Sequence, residues 1–149
     1  LPLFYQPKVT KTLEIGIIPH FEDKKDPNIH RLEREGATII DIFGDKMKFI
    51  DNVCKCGSIA STSLHGLIIA DAYGIPSKWL KASDKIYGKS FKYVDYYKSI
   101  EAAGEEPFIL EENTTLHELI ESCWKKNIEI DLNRLLSTCP FYELNLKDA

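Results

Sequence analysis

Apolar residues in this chain come in short runs separated by charged or glycine-containing stretches, and the runs alternate between strand-like and helix-like spacing. LEIGIIPHF (residues 13–21) is β-branched and apolar up to Pro19 and His20, which predicts a buried strand that stops where polar residues begin. The charged stretch EDKKDPNIHRLEREG is expected to form a loop reaching Gly36, and ATIIDIF (37–43) a second strand closed by Gly44. Asp45 then stands as an N-cap for a helix through DKMKFIDNVCKC, with Met47, Ile50, Val53 and Cys54 along one face.

SIAST (58–62) carries no charge and predicts a short strand, followed by the helix LHGLIIADAYG, which Gly74 and Pro76 end. PSKWLKA is a fourth strand. KSFKYVDYYKSIEAAG has Phe91, Val94 or Asp95, and Lys98 at turn spacing and is expected to be helical, although its four aromatics also suit a strand. PFIL (107–110) is a weak strand signal. NTTLHELIESCWKKN (113–127) is the clearest amphipathic helix, with Leu116, Leu119, Ile120, Cys123 and Trp124 on one face and Thr114 or Thr115 as its cap. A short last helix, DLNRLLSTC, ends before Pro140.

Strands that are apolar on both faces and alternate with helices predict a mostly parallel sheet covered on both sides, a three-layer Rossmann-like α/β domain. At 149 residues and 44% hydrophobic the chain has material for one domain, not two. A net charge of −4, with Lys and Arg scattered among carboxylates, argues against a general nucleic-acid partner. No apolar run approaches the roughly 18 residues of a membrane span, and no basic-then-apolar leader is present, so the chain is expected to be soluble and cytoplasmic. It opens on LPLFYQPKVTK without an initiator Met, as expected of the interior of a longer protein. Cys54, Cys56, Cys123 and Cys139 have no zinc spacing and are expected to be unligated, unbridged thiols.

Ligands of such sheets gather at the carboxyl ends of the strands, where His20 and His65 both fall. STSLHG is a strand-to-helix turn, so helix N-terminal N–H groups and the hydroxyls of Ser61, Thr62 and Ser63 are expected to face one crevice. Such a site suits a phosphate or carboxylate, and a histidine there can exchange protons with it. Gly66 keeps the first helical turn thin. The plainer alternative is that His65 fills a helix N-terminus and the hydroxyls are caps.

STSLHGLIIADAYGIPSKW resembles the serine-rich SSLHG signature of the polysaccharide pyruvyl transferase family. IGIIPHF is similar to the family's strand ending in Pro-His, and GKSFKYVDYYKSI to its Phe-Lys-x-x-Asp-Tyr-Tyr segment, so the three blocks span residues 15–100. The resemblance implies the C-terminal half of a two-domain glycosyltransferase-B fold, with residues 1–12 as the link from a missing N-terminal domain and 13–149 as the domain itself. It further implies transfer of a pyruvyl group from phosphoenolpyruvate to sugar hydroxyls, forming a ketal in cell-surface polysaccharide or exopolysaccharide synthesis. The implied partners are phosphoenolpyruvate and a saccharide or lipid-linked oligosaccharide, the latter at the inner face of the membrane. That chemistry requires no metal or other cofactor.

On this reading His65 is the acid/base residue, Ser61, Thr62, Ser63 and Gly66 cradle the anion, and His20 and Lys92 donate to phosphate or carboxylate. Asp95 and Tyr96 are candidates for the pocket wall. Some members carry arginine where this chain has Ser63, so charge for the phosphate is expected from Lys92 or the other domain. A nucleotide-sugar glycosyltransferase would use the same fold, but the chain shows no clear carboxylate motif to hold a donor ribose, with Glu111 and Glu112 the residues left open for it, and a noncatalytic binding module is a third reading.

Overall fold

The computed structural model of the chain describes residues 2–85, 90–102, 104–128 and 130–139. Its described strands form a five-stranded sheet in the order β2-β1-β3-β4-β5, every neighbouring pair parallel. β1 (Leu13–Ile18) and β3 (Cys56–Ser61) make the longest pairing, from Leu13 opposite Cys56 to Ile18 opposite Ser61. β4 is Ser77–Lys81, while β2 (Thr38–Ile39) and β5 (Phe108–Ile109) are two-residue edge strands. The expected second strand over 37–43 is thus much shorter. Past Ile40 the chain turns, with Asp41 accepting from the Phe43 N–H at 2.9 Å and from Lys24 Nζ at 2.8 Å.

Helices cover both faces. On one, Ile29 and Leu32 of α1 (Pro27–Arg34) and Leu119 of α5 (Leu116–Ser122) pack on Ile15, Ile17, Ala60 and Leu80. On the other, Val53 of α2 (Lys46–Cys54) and Ala70 of α3 (Leu64–Ala72) meet Ile18 and Ile59, and α4 (Phe91–Ser99) covers Trp79. This is the three-layer, Rossmann-like arrangement that the alternating pattern predicts. α6 (Leu132–Ser137) follows, and residues 140–149 of the expected domain lie outside the described residues.

Several local expectations change. The charged stretch after His20 is not a loop throughout, because it contains α1. Asp26 caps that helix by accepting from the N–H groups of Asn28 and Ile29, Pro27 occupies its first turn, and Ile29 and Leu32, three apart, are fully buried. In α4 the buried face is Tyr93, Tyr97 and the following Ile100, whereas Phe91 is 77% exposed. Tyr93 stacks on Trp79 with ring centroids 4.5 Å apart, so Trp79 belongs to the core. In α2, Ile50 and Val53 are buried but Met47 is exposed.

α5 is shorter than expected. Thr115, rather than Thr114, forms a capping box with Glu118, and the helix ends at Ser122. Trp124 leaves the helical face and bridges Ser77 in antiparallel fashion. Residues 5–11 lie back on the domain, as Tyr5 donates to Asp51 at 2.7 Å and Lys11 to the Cys56 carbonyl at 3.1 Å. The four cysteines carry free thiols, and burial pushes those of Cys56 and Cys123 up to about 11. No helix among the described residues is long and apolar enough to cross a membrane.

Candidate functional site

From β1 the chain crosses one face to β2 and returns over the other face to β3. The chain therefore leaves the carboxyl ends of β1 and β3 toward opposite faces, which makes them the sheet's switch point, where ligands of open α/β sheets bind. His20 follows β1 and the TSLH segment follows β3. The two loops are joined: the His20 N–H donates to Thr62 Oγ1 at 2.8 Å and the Thr62 N–H to the Ile18 carbonyl at 3.2 Å.

The small hydroxyl residues split into different roles. Ser61 is fully buried, its hydroxyl 2.9 Å from the Ile18 carbonyl oxygen and 2.8 Å from that of Ser63, while accepting from the Ser63 N–H at 3.0 Å. It latches β1 to the turn and does not face the crevice. Thr62 is likewise fully buried and holds His20 in place. Both depart from the expected anion cradle, because successive strand residues point to opposite sides and both of these sides are covered. Ser63 is the N-cap of α3, yet its side chain makes no capping bond there. Gly66 serves packing: a Cβ would collide with Ser61 Oγ and stand 3.0 Å from two Ile18 methyl carbons. Its lack of a side chain lets α3 sit directly on β1 and β3.

His65 is exposed and His20 half-buried at these strand ends. Burial, followed by the Lys92 ammonium, holds the His20 imidazole below its ordinary pKa, the neighbouring Asp23 and Glu22 carboxylates act the other way, and His65 adds to the lowering. His20, His65 and Lys92 therefore share one electrostatic neighbourhood. Lys92 lies over the Tyr93 ring, its Nζ 5.2 Å from the centroid, and the Tyr93 hydroxyl donates to the Thr62 carbonyl at 2.6 Å.

The other two candidates lie apart. Asp95 is exposed on α4. Tyr96 donates to Asp71 at 2.9 Å, in a buried group at the opposite end of the sheet that contains Ser77 and Lys126. Burial raises the Asp71 pKa and lowers that of Lys126, and the two charges stand 4.0 Å apart. Tyr96 is thus a structural donor rather than a wall of the crevice.

Two residues that the sequence pattern does not single out lie beside His20, whose carbonyl accepts from the Asp23 N–H at 2.9 Å. Asp23 is 2% exposed and accepts from the Ser83 hydroxyl through Oδ1, while its Oδ2 is buried without a hydrogen-bond partner. Ser83 also lines a cavity of about 630 Å³ between β4 and α4, with Trp79, Tyr93, Val94 and Glu105 among its walls. Asp23 lies in a run of charged residues, and nothing in its spacing marks it apart from Asp26, which is a helix cap. Among the described residues no group of three or more His, Cys, Asp or Glu is arranged to hold a metal ion.

No family model matches the chain. No solved structure matches it. Over 95 residues it is 30% identical to "Uncharacterized protein L143" of Acanthamoeba polyphaga mimivirus, a match covering 56% of this chain and 30% of that protein. The chain thus spans about a third of the length of the relative it matches.

Proposed function

We propose that the crevice between the β1 and β3 ends binds the phosphate and carboxylate of phosphoenolpyruvate, and that the chain is the donor-binding part of a polysaccharide pyruvyl transferase. The observation that carries this reading is the hydrogen bond from the His20 N–H to Thr62 Oγ1, which holds His20 at the β3 turn leading into α3, whose first turn carries His65. Two imidazoles and an ammonium, together with free helix N–H groups, offer an oxyanion several donors and a favourable field.

His65, exposed and therefore able to meet substrate, is the proton donor to the methylene carbon. An acceptor sugar hydroxyl then bonds to the adjacent carbon and loses its proton to a base on the acceptor side of the cleft. Attack by a second hydroxyl completes the ketal as the carbon–oxygen bond to phosphate breaks, and the phosphate leaves carrying that hydroxyl's proton. A second domain supplies the acceptor side.

Calorimetric titration of phosphoenolpyruvate into the chain and into its His65→Ala variant tests the proposal, with a nucleotide sugar as control. Selective phosphoenolpyruvate binding that weakens in the variant is expected. Binding of the nucleotide sugar alone would replace this reading with that of a glycosyltransferase.

A further inference from the structure

Helices cover the sheet unevenly beyond β4. On the face where Tyr93 of α4 stacks on Trp79, no described helix lies over β5. The next helix, α5, packs with Leu80 and Phe108 on the other face, and Ile109, which strand alternation turns toward the α4 side, is 50% exposed. The gap is the cavity of about 630 Å³, walled by Trp79, by Tyr93 and Val94 of α4, and by Glu106 and Pro107 of the segment entering β5. Small-molecule sites have volumes of about 300–1,000 Å³. Most of the charge around this one is already paired. Lys81 holds Asp84 at 2.7 Å, and Glu105 accepts from Lys78 at 2.7 Å and from the Trp124 indole at 3.0 Å. Glu106 is exposed and has no hydrogen bond or ion pair among the described residues.

We propose that this cavity binds a small organic cation, an amine carried on a ring or short hydrocarbon. Its hydrocarbon lies against Trp79, Val94 and Pro107, and its ammonium beside Glu106. Charge complementarity selects the cation: Asp84, Glu105 and Glu106 line the cavity with Lys81 as the one lining ammonium, Lys78 neutralises Glu105, and the carboxylate left over is Glu106. Lys92, whose Nζ is 5.2 Å from the Tyr93 ring centroid, does not line the cavity. The inference does not rest on the oxyanion reading of the β1 and β3 ends.

The test is NMR titration of the 149-residue chain with phenethylammonium and with phenylacetate, which share a ring and differ in the sign of charge, at about pH 7 and low ionic strength. Amide shifts at Lys81, Val94 and Glu106 give the location and the dissociation constants. Phenethylammonium is expected to move these amides and to bind at least about threefold more tightly than phenylacetate, a ratio in keeping with a solvent-exposed ion pair. Glu106→Gln keeps the side-chain shape and removes the charge, so the two affinities should come together. Equal affinities in the native chain, or tighter binding of phenylacetate, would overturn the assignment of a cation. A preference undiminished in the variant would overturn the role of Glu106. If neither compound moves the cavity amides at millimolar concentration, the site itself is refuted. Should Glu106→Gln fail to fold, the ratio in the native chain decides alone.

Discussion

Replacing Gly66 by alanine sets two opposed effects against each other. Alanine is favoured over glycine inside a helix by about 0.8–1.0 kcal/mol, and less here, because Gly66 stands in the first turn of α3. Against this, the new methyl would meet the Ser61 hydroxyl and crowd two Ile18 carbons at 3.0 Å. Overpacking of a buried contact costs about 1–3 kcal/mol. Pushing Ser61 aside also weakens its bonds to Ile18 and Ser63, each contributing about 1 kcal/mol. The balance is a loss of about 2–3 kcal/mol, or a fall in Tm of roughly 5–10 °C for a domain of this size. Urea denaturation gives the free energy directly, and a cycle with Ser61→Ala tests the cause: without the hydroxyl part of the clash disappears, so the two changes should couple by about 1 kcal/mol. A Gly66→Ala chain as stable as the native one would refute the claim that α3 rests on β1 and β3 through this glycine.

Asp26→Ala should destabilise α1 by about 0.5–2 kcal/mol, read by the same denaturation, since it removes the acceptor for the Asn28 and Ile29 N–H groups. Lys126→Ala leaves Asp71 buried without its nearest cation and should cost about 3–5 kcal/mol, whereas replacing Lys126 with Met and Asp71 with Leu together should cost much less. Because the folded His20 pKa lies below the ordinary 6.5, the stability it contributes is present above pH 6.5 and is lost as pH falls through the folded value. Its imidazole NMR titration should therefore have a midpoint below 6.5, and His20→Gln should flatten the decline in stability on acidification. A midpoint above 6.5 would contradict the burial of His20 and the field of the Lys92 ammonium.

The layer order was legible from the chain because β1, β3 and β4 are apolar on both faces, and only a sheet covered on both sides buries such strands. α1 was missed because its apolar residues, Ile29 and Leu32, are two in an otherwise charged stretch, although Asp26-Pro27 is a start signal that could have revealed it. The face of α4 was misassigned because tyrosines stand on both sides of the helix. What selected Tyr93 and Tyr97 was Trp79, fourteen and eighteen residues before them, whose ring lies against theirs.

Local order is enough to put His20 and His65 near strand ends, since His20 follows directly on the apolar run of β1 and His65 stands in the turn after β3. That β1 and β3 are neighbours, and that their ends part at the switch point, is decided by strand pairing at a separation of some forty residues. The same pairing turns Ser61 and Thr62 inward as latches, sends Tyr96 to Asp71, and brings Ser83 to Asp23. By itself the sequence determined which segments are strands and helices and where polar chemistry begins, because spacing and capping act within a few residues. Which hydroxyls are consumed by the fold, and which carboxylate oxygen is left without a donor, depends on contacts between distant segments that only the tertiary structure decided.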